Sequence, residues 1–212
     1  MNIEHILPAD IERRSMEIIE EELGCICLPP DQKDIIKRVI HTSADFDYAR
    51  TMRFSDGAVE KGLDALRRGC TIVTDTNMAC TGISQASLDM LGCRKVCFMA
   101  DHDVRDAAKA CGSTRAAACM DKASRIAGPV IIAVGNAPTA LLRLDELIAQ
   151  KKIRPELVIA VPVGFVNVVY AKERIMASGV PYIAAKGRKG GSNIAAAICN
   201  ALLYKLTRKS SV

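Results

Sequence analysis

Apolar residues recur at helical spacing over the first forty positions, and they predict two amphipathic helices. The first helix begins after Asp10, a candidate N-cap, and ends at Gly24. The second helix begins at Asp31, and its apolar positions are Ile35, Ile36, Val39 and Ile40. His41 follows the last apolar pair, so we expect it at the C-terminus of the second helix.

From residue 56 onward, helical stretches alternate with short apolar runs that are rich in β-branched residues. The predicted strands lie at residues 70–74, 95–99, 130–134, 157–161 and 181–185, with a further short strand at 48–54. The predicted helices lie between 59 and 69, around 88–91, and at 113–127, 138–150, 168–178 and 192–206. Strands with little alternation are buried on both faces, and the intervening helices imply right-handed crossovers. The pattern therefore predicts a three-layer α/β/α fold with a mostly parallel sheet, in one domain over residues 1–212, with the N-terminal helices packed beside the sheet.

The loops that follow the predicted strands are polar or rich in glycine. They are residues 75–81, 101–103, 135–138, 162–165 and 186–191. In open α/β sheets, ligands bind beyond the carboxyl ends of the strands, where the strand order reverses. We therefore expect the site at this edge, with Asn136 and Thr81 among its candidate residues. A threonine hydroxyl next to Gly82 can contact a ligand or stabilise a turn, and both alternatives are open for Thr81.

The loop at residues 186–191 is the strongest electrostatic candidate, because Lys186, Arg188 and Lys189 are interspersed with three glycines ahead of a helix. Backbone N–H groups and the positive end of the helix dipole favour an anion at such a place. The sequence lacks the motifs of nucleotide-binding loops, since neither G-x-x-x-x-G-K-[ST] nor G-x-G-x-x-G after the first strand is present. A carboxylate ligand would be bound by the same N–H groups and helix dipole. The alternative is a solvated basic loop.

Three further residues are candidates, each with a structural alternative. The negative end of the helix dipole favours a protonated imidazole, so His41 is either a proton donor or a capping or half-buried structural histidine. Ser15 can donate back to the carbonyl of Ile11 or point into a ligand pocket. Arg115 opposes the dipole at the start of its helix, so it needs either a ligand carboxylate or a nearby aspartate. The remaining histidines, His5 and His102, are assigned no role.

Composition limits the class of partner. The formal net charge is +5, from 29 basic and 24 acidic residues, which suits a small anionic ligand better than a polyphosphate, although solubility alone would explain it. Four phenylalanines, four tyrosines and no tryptophan leave few stacking platforms, so nucleic acid is not an expected partner.

Compartment and metal content can also be predicted. No apolar run approaches the roughly 20 residues that span a bilayer, and the N-terminal residues lack a secretory pattern, so we expect a cytoplasmic protein without membrane contact. Nine cysteines are present, and none has zinc-site spacing. We expect free thiols, six or more of them packed as small buried hydrophobes, and no protein-bound metal.

Four stretches carry a resemblance to a known family. They are residues 11–19 (IERRSMEII), 38–47 (RVIHTSADFD), 74–83 (TDTNMACTGI) and 186–192 (KGRKGGS). Together they resemble the precorrin-8X methylmutases, also called cobalt-precorrin-8 methylmutases. The length and the order of the motifs match as well, so the similarity covers nearly the whole chain.

The resemblance implies an isomerase of vitamin B12 synthesis that moves a methyl group from an α carbon of ring C to the adjacent β carbon, without an external reductant or cofactor. It implies that His41 is a general acid towards the conjugated macrocycle, and that Ser15, Thr81 and Arg115 orient the ring. The basic loop would bind peripheral carboxylates of the corrinoid precursor, and the family implies a homodimer with sites near the subunit boundary. Two alternatives are a protein that binds a corrinoid or another tetrapyrrole without converting it, and a nucleotide-dependent α/β enzyme.

Overall fold

The computed structural model describes Leu7 and residues 10–208, in which helices and strands alternate. The helices are α1 (Ile11–Leu23), α2 (Pro30–Ser43), α3 (Tyr48–Thr51), α4 (Ala58–Arg67), α5 (Asn77–Gly82), α6 (Gln85–Met90), α7 (His102–Ala110), α8 (Arg115–Ala123), α9 (Pro138–Ala149), α10 (Val168–Ala177) and α11 (Ser192–Thr207). The strands are β1 (Met52–Phe54), β2 (Thr71–Thr74), β3 (Arg94–Val96), β4 (Val130–Val134), β5 (Leu157–Ala160) and β6 (Tyr182–Ala185). His5 lies outside the described residues.

Within residues 10–208, six strands form one sheet in the order β1-β6-β5-β4-β2-β3. The five strands from β2 to β6 are parallel, whereas β1 runs antiparallel to β6 with Met52 opposite Ala185. The predicted mostly parallel sheet is therefore confirmed. Because β3 and β4 lie on opposite sides of β2, the strand order reverses between β2 and β4, and the carboxyl ends of these two strands flank the crevice where open α/β sheets bind ligands.

The central strands are buried on both faces, as their continuous apolar sequences predict. In β4, Ile131 packs into one hydrophobic core, and Val130, Ile132 and Val134 pack into the other. Helices α4, α5 and α11 contribute to the first core, and α8, α9 and α10 to the second, so the three-layer prediction is confirmed. The N-terminal helices form a further layer, in which α2 packs chiefly on α11 and α1 packs on α2.

Several predicted boundaries are wrong. Residues 48–54 were expected as one strand, but they form the helical turn α3 followed by the three-residue strand β1. Thr81 and His102 were expected in loops, but Thr81 lies in α5 and His102 begins α7. The side chain of Thr76 accepts a hydrogen bond from the Ala79 N–H and so starts α5 directly after β2. Residues 113–127 were expected as one helix, but α8 spans Arg115–Ala123, and Thr114 as its N-cap fixes where it begins.

The expectation that six or more cysteines are buried is also wrong. All nine are free thiols, and only four of them are buried: Cys70, Cys93, Cys119 and Cys199. The three exposed cysteines lie outside helices and strands, two of them between α1 and α2 and one just after α7. Among the described residues, no helix is long and apolar enough to cross a membrane.

Candidate active site at the carboxyl edge of the sheet

His41 is exposed in the last turn of α2, next to a turn that Ala44 makes in the left-handed conformation at φ 53°. The neighbouring hydroxyls of Thr42 and Ser43 donate back to carbonyls one turn earlier, at 3.0 and 2.8 Å. The helix is closed instead by the Ala44 N–H, which donates to the carbonyl of Ile40 at 2.7 Å. Within residues 10–208 the His41 ring has no hydrogen-bond partner, so the structure does not support the capping alternative.

The turn that follows His41 is tied to the basic loop between β6 and α11. Lys189 Nζ lies 2.7 Å from a carboxylate oxygen of Asp45 and 2.9 Å from one of Asp47. The hydrogen bond from Lys189 holds the pKa of the Asp45 carboxyl below its usual value. Two segments more than a hundred residues apart in sequence are thus brought together, and Lys189 is paired with protein carboxylates.

Glycines let the loops after β4, β5 and β6 come into backbone contact. A Cβ atom on Gly190 would overlap the carbonyl oxygen of Val161, and a Cβ on Gly135 would lie 2.7 Å from the carbonyl oxygen of Gly191. The Gly191 N–H donates to Val161 O at 2.9 Å. Any larger residue at positions 135 and 190 would force these loops apart.

Asp75 holds the loop after β4 in place across the reversal of strand order. Its buried carboxylate accepts backbone N–H groups from Gly135, Asn136 and Ala137 at 2.7–2.8 Å. Burial raises the pKa of this carboxyl, against the opposing effect of the three N–H donors. Because Asn136 donates through its backbone, its side chain is left exposed at the same edge.

Arg115 is the first residue of α8 and is exposed. The preceding Thr114 donates to the hydroxyl of Thr139 at 2.8 Å, which places the start of α8 beside the start of α9 and near Asn136. In the part of the chain that the structure describes, Arg115 has no carboxylate partner, so the structure does not support the salt-bridge alternative.

Thr81 lies on α5, which follows β2 at this edge, and Ser15 lies on α1, which packs on α2. Ser15 donates to the carbonyl of Ile11 at 2.8 Å, which is the structural alternative, although its hydroxyl oxygen can still accept. Thr81 is exposed on α5, and its hydroxyl has no hydrogen-bond partner within the described residues. The contacts described above join the turn after His41 to the basic loop, and join the basic loop to the loop that carries Asn136.

A groove of about 550 Å³ lies between α1, α2 and α11, one helical turn away from His41. Its lining includes four cations, each paired with a carboxylate: Lys37 with Glu20, Arg38 and Arg208 with Glu12, and Lys205 with Asp34. His41 does not line this groove. The groove is therefore a poorer anion site than the carboxyl edge of the sheet.

Comparison with known proteins decides the family. The chain matches the family model for precorrin-8X methylmutase over residues 10–205. The cobalt-precorrin-8 methylmutase of Leptospira interrogans is 42% identical over 211 residues, with 96% of each chain covered. The chain belongs to the precorrin-8X methylmutase family. It is accordingly an isomerase of cobalamin biosynthesis.

Other members of the methylmutase family agree in sequence and in structure. The cobalt-precorrin-8 methylmutase of Salmonella typhimurium is 47% identical over 178 residues, which cover 84% of this chain and 83% of the relative. The crystal structure of precorrin-8X methylmutase from Thermus thermophilus matches with a TM-score of 0.84 at 40% identity, covering 92% of this chain and 96% of the other. The family-model match, over residues 10–205, includes the whole sheet and all the loops described above.

Sequence reasoning missed two residues of this methylmutase edge. Phe165 is 81% exposed, and the guanidinium carbon of Arg188 lies 5.4 Å from its ring centroid. Lys172 on α10 is only 1% exposed and contacts the basic loop from inside. The signal for Lys172 was available, since it shares the buried stripe of α10 with Val168 and Ile175.

Proposed function

We propose that this methylmutase moves a methyl group between adjacent carbons of ring C of precorrin-8X or cobalt-precorrin-8, with His41 as the proton donor and acceptor. In such a shift one carbon–carbon bond breaks as another forms, so the reaction neither consumes nor releases electrons. The enzyme needs a proton at the conjugated system and a fixed macrocycle. The observation that carries the proposal is the exposed, unbonded His41 ring beside a turn that Lys189 ties to the basic loop.

The remaining candidates are proposed to bind and orient the macrocycle. Arg115 and Lys186 have no ion-pair partner among the described residues, so both cations are available to substrate carboxylates. Arg188 is exposed and would bind a further carboxylate. Asn136, Thr81 and Ser15 would supply neutral hydrogen bonds. Lys189 would act through its positive charge and through the turn that it holds, because its ammonium group is already paired.

Cobalt and assembly belong to the same proposal. The Leptospira and Salmonella relatives are both named for cobalt-precorrin-8, which supports a substrate that already carries cobalt. We also propose a cytoplasmic homodimer with the sites near the subunit boundary. Exposed apolar side chains beside the site, such as Val166 at 78% and Met78 at 69%, support a second surface there.

The test replaces His41 by alanine and by asparagine and follows the conversion of precorrin-8X and of cobalt-precorrin-8 by visible absorbance. We expect kcat to fall by roughly 10²–10⁴-fold, the usual contribution of a general acid. Product binding should persist, because the charged loops are unchanged. His102→Ala is the control, since His102 is an exposed histidine at the first position of another helix.

Two outcomes would contradict the proposal. If His41→Ala converted the substrate at the parental rate, His41 would not be the proton donor. If the parent protein bound corrinoids tightly but converted neither substrate, the chain would be a corrinoid-binding protein.

A further inference from the structure

Lys172 is among the largest side chains that the described residues bury completely. It lies on α10, and its Nζ donates to the carbonyl oxygens of Gly187 and Lys189, both at 2.8 Å. No carboxylate pairs with it in the described part of the chain. Burial lowers the pKa of this amine to about 8. A buried ammonium group without a counter-ion is unfavourable, so an apolar residue would be expected here unless the two carbonyls require a donor.

The two carbonyls that Lys172 binds belong to the residues on either side of Arg188. The carbonyl of Arg188 itself accepts the Gly164 N–H at 3.1 Å. Three successive carbonyls are thereby fixed by groups of α10 and of the loop after β5. Because peptide units are planar, fixing consecutive units also fixes the direction in which the side chain between them leaves the backbone.

The Arg188 side chain is consequently directed away from the interior. It is exposed, and its guanidinium lies over the ring of Phe165 at the carboxyl edge of the sheet. The start of the same loop is held independently, by the Lys186 N–H donating to Thr51 O at 2.8 Å. Among the described residues, Lys172 is thus the one side chain that donates to the backbone of residues 186–191, and it does so from the protein interior.

We propose that Lys172 is a positioning residue of the methylmutase site, which acts through Arg188 by fixing the loop that presents this guanidinium to a substrate carboxylate. The inference rests on the proposed function, in which the basic loop binds the carboxylates of the macrocycle. Lysine suits the task because an ammonium group has three donors and a neutral amine still has two hydrogens for the two carbonyls. Lys172 can therefore donate to both carbonyls whether its amine is protonated or neutral.

The test is a double-mutant cycle in the full-length protein. Lys172→Met keeps an unbranched apolar side chain, one atom shorter than that of lysine, and removes its donors. We expect KM for the precorrin substrate, and Kd for the corrinoid product measured by absorbance titration, to rise roughly tenfold, with kcat within about twofold of the parent. Arg188→Ala should raise KM and Kd by a similar factor. In the Arg188→Ala background, Lys172→Met should have no further effect.

Arg68→Met is the matched control, because Arg68 also donates to a backbone carbonyl, that of Asp64, but lies at the opposite edge of the sheet. It should leave KM and Kd unchanged. The inference is overturned if Lys172→Met leaves both constants within twofold of the parent, or if the two substitutions multiply in the double variant. A variant that loses only thermal stability would also show a purely structural lysine.

Two safeguards keep the result interpretable. Should Lys172→Met not fold, Lys172→Gln takes its place, because glutamine retains two donor hydrogens on a shorter side chain. The same cycle applies, and we expect KM and Kd of Lys172→Gln to lie between those of the parent and of Arg188→Ala. Failure of the proposed function would show differently, as a parent protein that does not convert the substrate at all. The product titration would still report in that case whether Lys172 affects corrinoid binding through Arg188.

Discussion

Asp75 is a buried carboxylate that holds a loop of the candidate site in place. It accepts three N–H groups from the loop after β4, and this fixes where Asn136 emerges. Asp75→Ala would leave these donors without a partner. Each unsatisfied buried donor costs about 1–3 kcal/mol, and burial of the carboxylate itself is unfavourable, so we expect a net loss of about 2–4 kcal/mol in the free energy of unfolding.

Urea denaturation followed by circular dichroism would measure this loss. Asp106→Asn is the control, because Asp106 is exposed on α7 and, among the described residues, pairs only with Arg105, at 3.5 Å. A surface substitution of this kind should change the free energy of unfolding by less than about 0.5 kcal/mol. Equal stabilities for the two variants would show that water replaces the Asp75 carboxylate without loss.

The loop between β6 and α11 carries a prediction of its own at the scale of the element. Gly190 and Gly187 both lie in it, but a Cβ atom on Gly190 would overlap the Val161 carbonyl, whereas one on Gly187 would meet nothing within 4 Å. Gly187→Ala should cost only the strain of its φ of +82°, about 1–2 kcal/mol. Gly190→Ala should cost about 3 kcal/mol, because two backbone segments must separate.

Thermal and urea unfolding of the two alanine variants would measure this difference. Gly190→Ala should also raise KM, since displacing the loop moves Arg188. If both variants lost the same stability, the tight contact with Val161 would not contribute to the free energy of unfolding.

Helices and strands with long apolar patterns could be predicted from the sequence, whereas the short helices α5 and α7 could not. β4 is five buried residues in a row, and α11 has sixteen residues with nine of them buried, so both patterns are clear. In contrast, α5 has six residues with Ala79 as its buried member, and α7 has nine with Val104 and Ala108. Patterns this sparse do not separate a helix from a loop.

The meeting of the loops could likewise be predicted, because parallel strands bring their carboxyl ends to one edge. The partners that hold those loops could not. Asp75 and Gly135 are 60 positions apart, and Lys172 and Gly187 are 15 apart across a strand. Such pairs depend on the strand order and on the register, neither of which the local sequence pattern contains.

On the scale of the whole molecule, lysines paired with carboxylates connect parts of the chain that are distant in sequence. Lys189 binds Asp45, Lys33 and Lys37 bind Glu20, and Lys122 binds Asp103. In each case the hydrogen bond from lysine lowers the pKa of the carboxyl. The first of these pairs also joins the turn after His41 to the basic loop, so it links the stability of the fold to the geometry of the site.

A carboxyl whose pKa is lower in the folded than in the unfolded chain contributes stability above its unfolded pKa, and this contribution is lost as the pH falls through the folded pKa. The midpoint of urea denaturation should therefore decrease below about pH 4, against the opposite contribution of Asp75, whose pKa is raised by burial. Asp45→Asn should flatten part of that decrease, since it removes one of the titrating partners of Lys189. If Asp45→Asn and the parent lost stability in parallel below pH 4, the pair that joins the His41 turn to the basic loop would contribute nothing to folding.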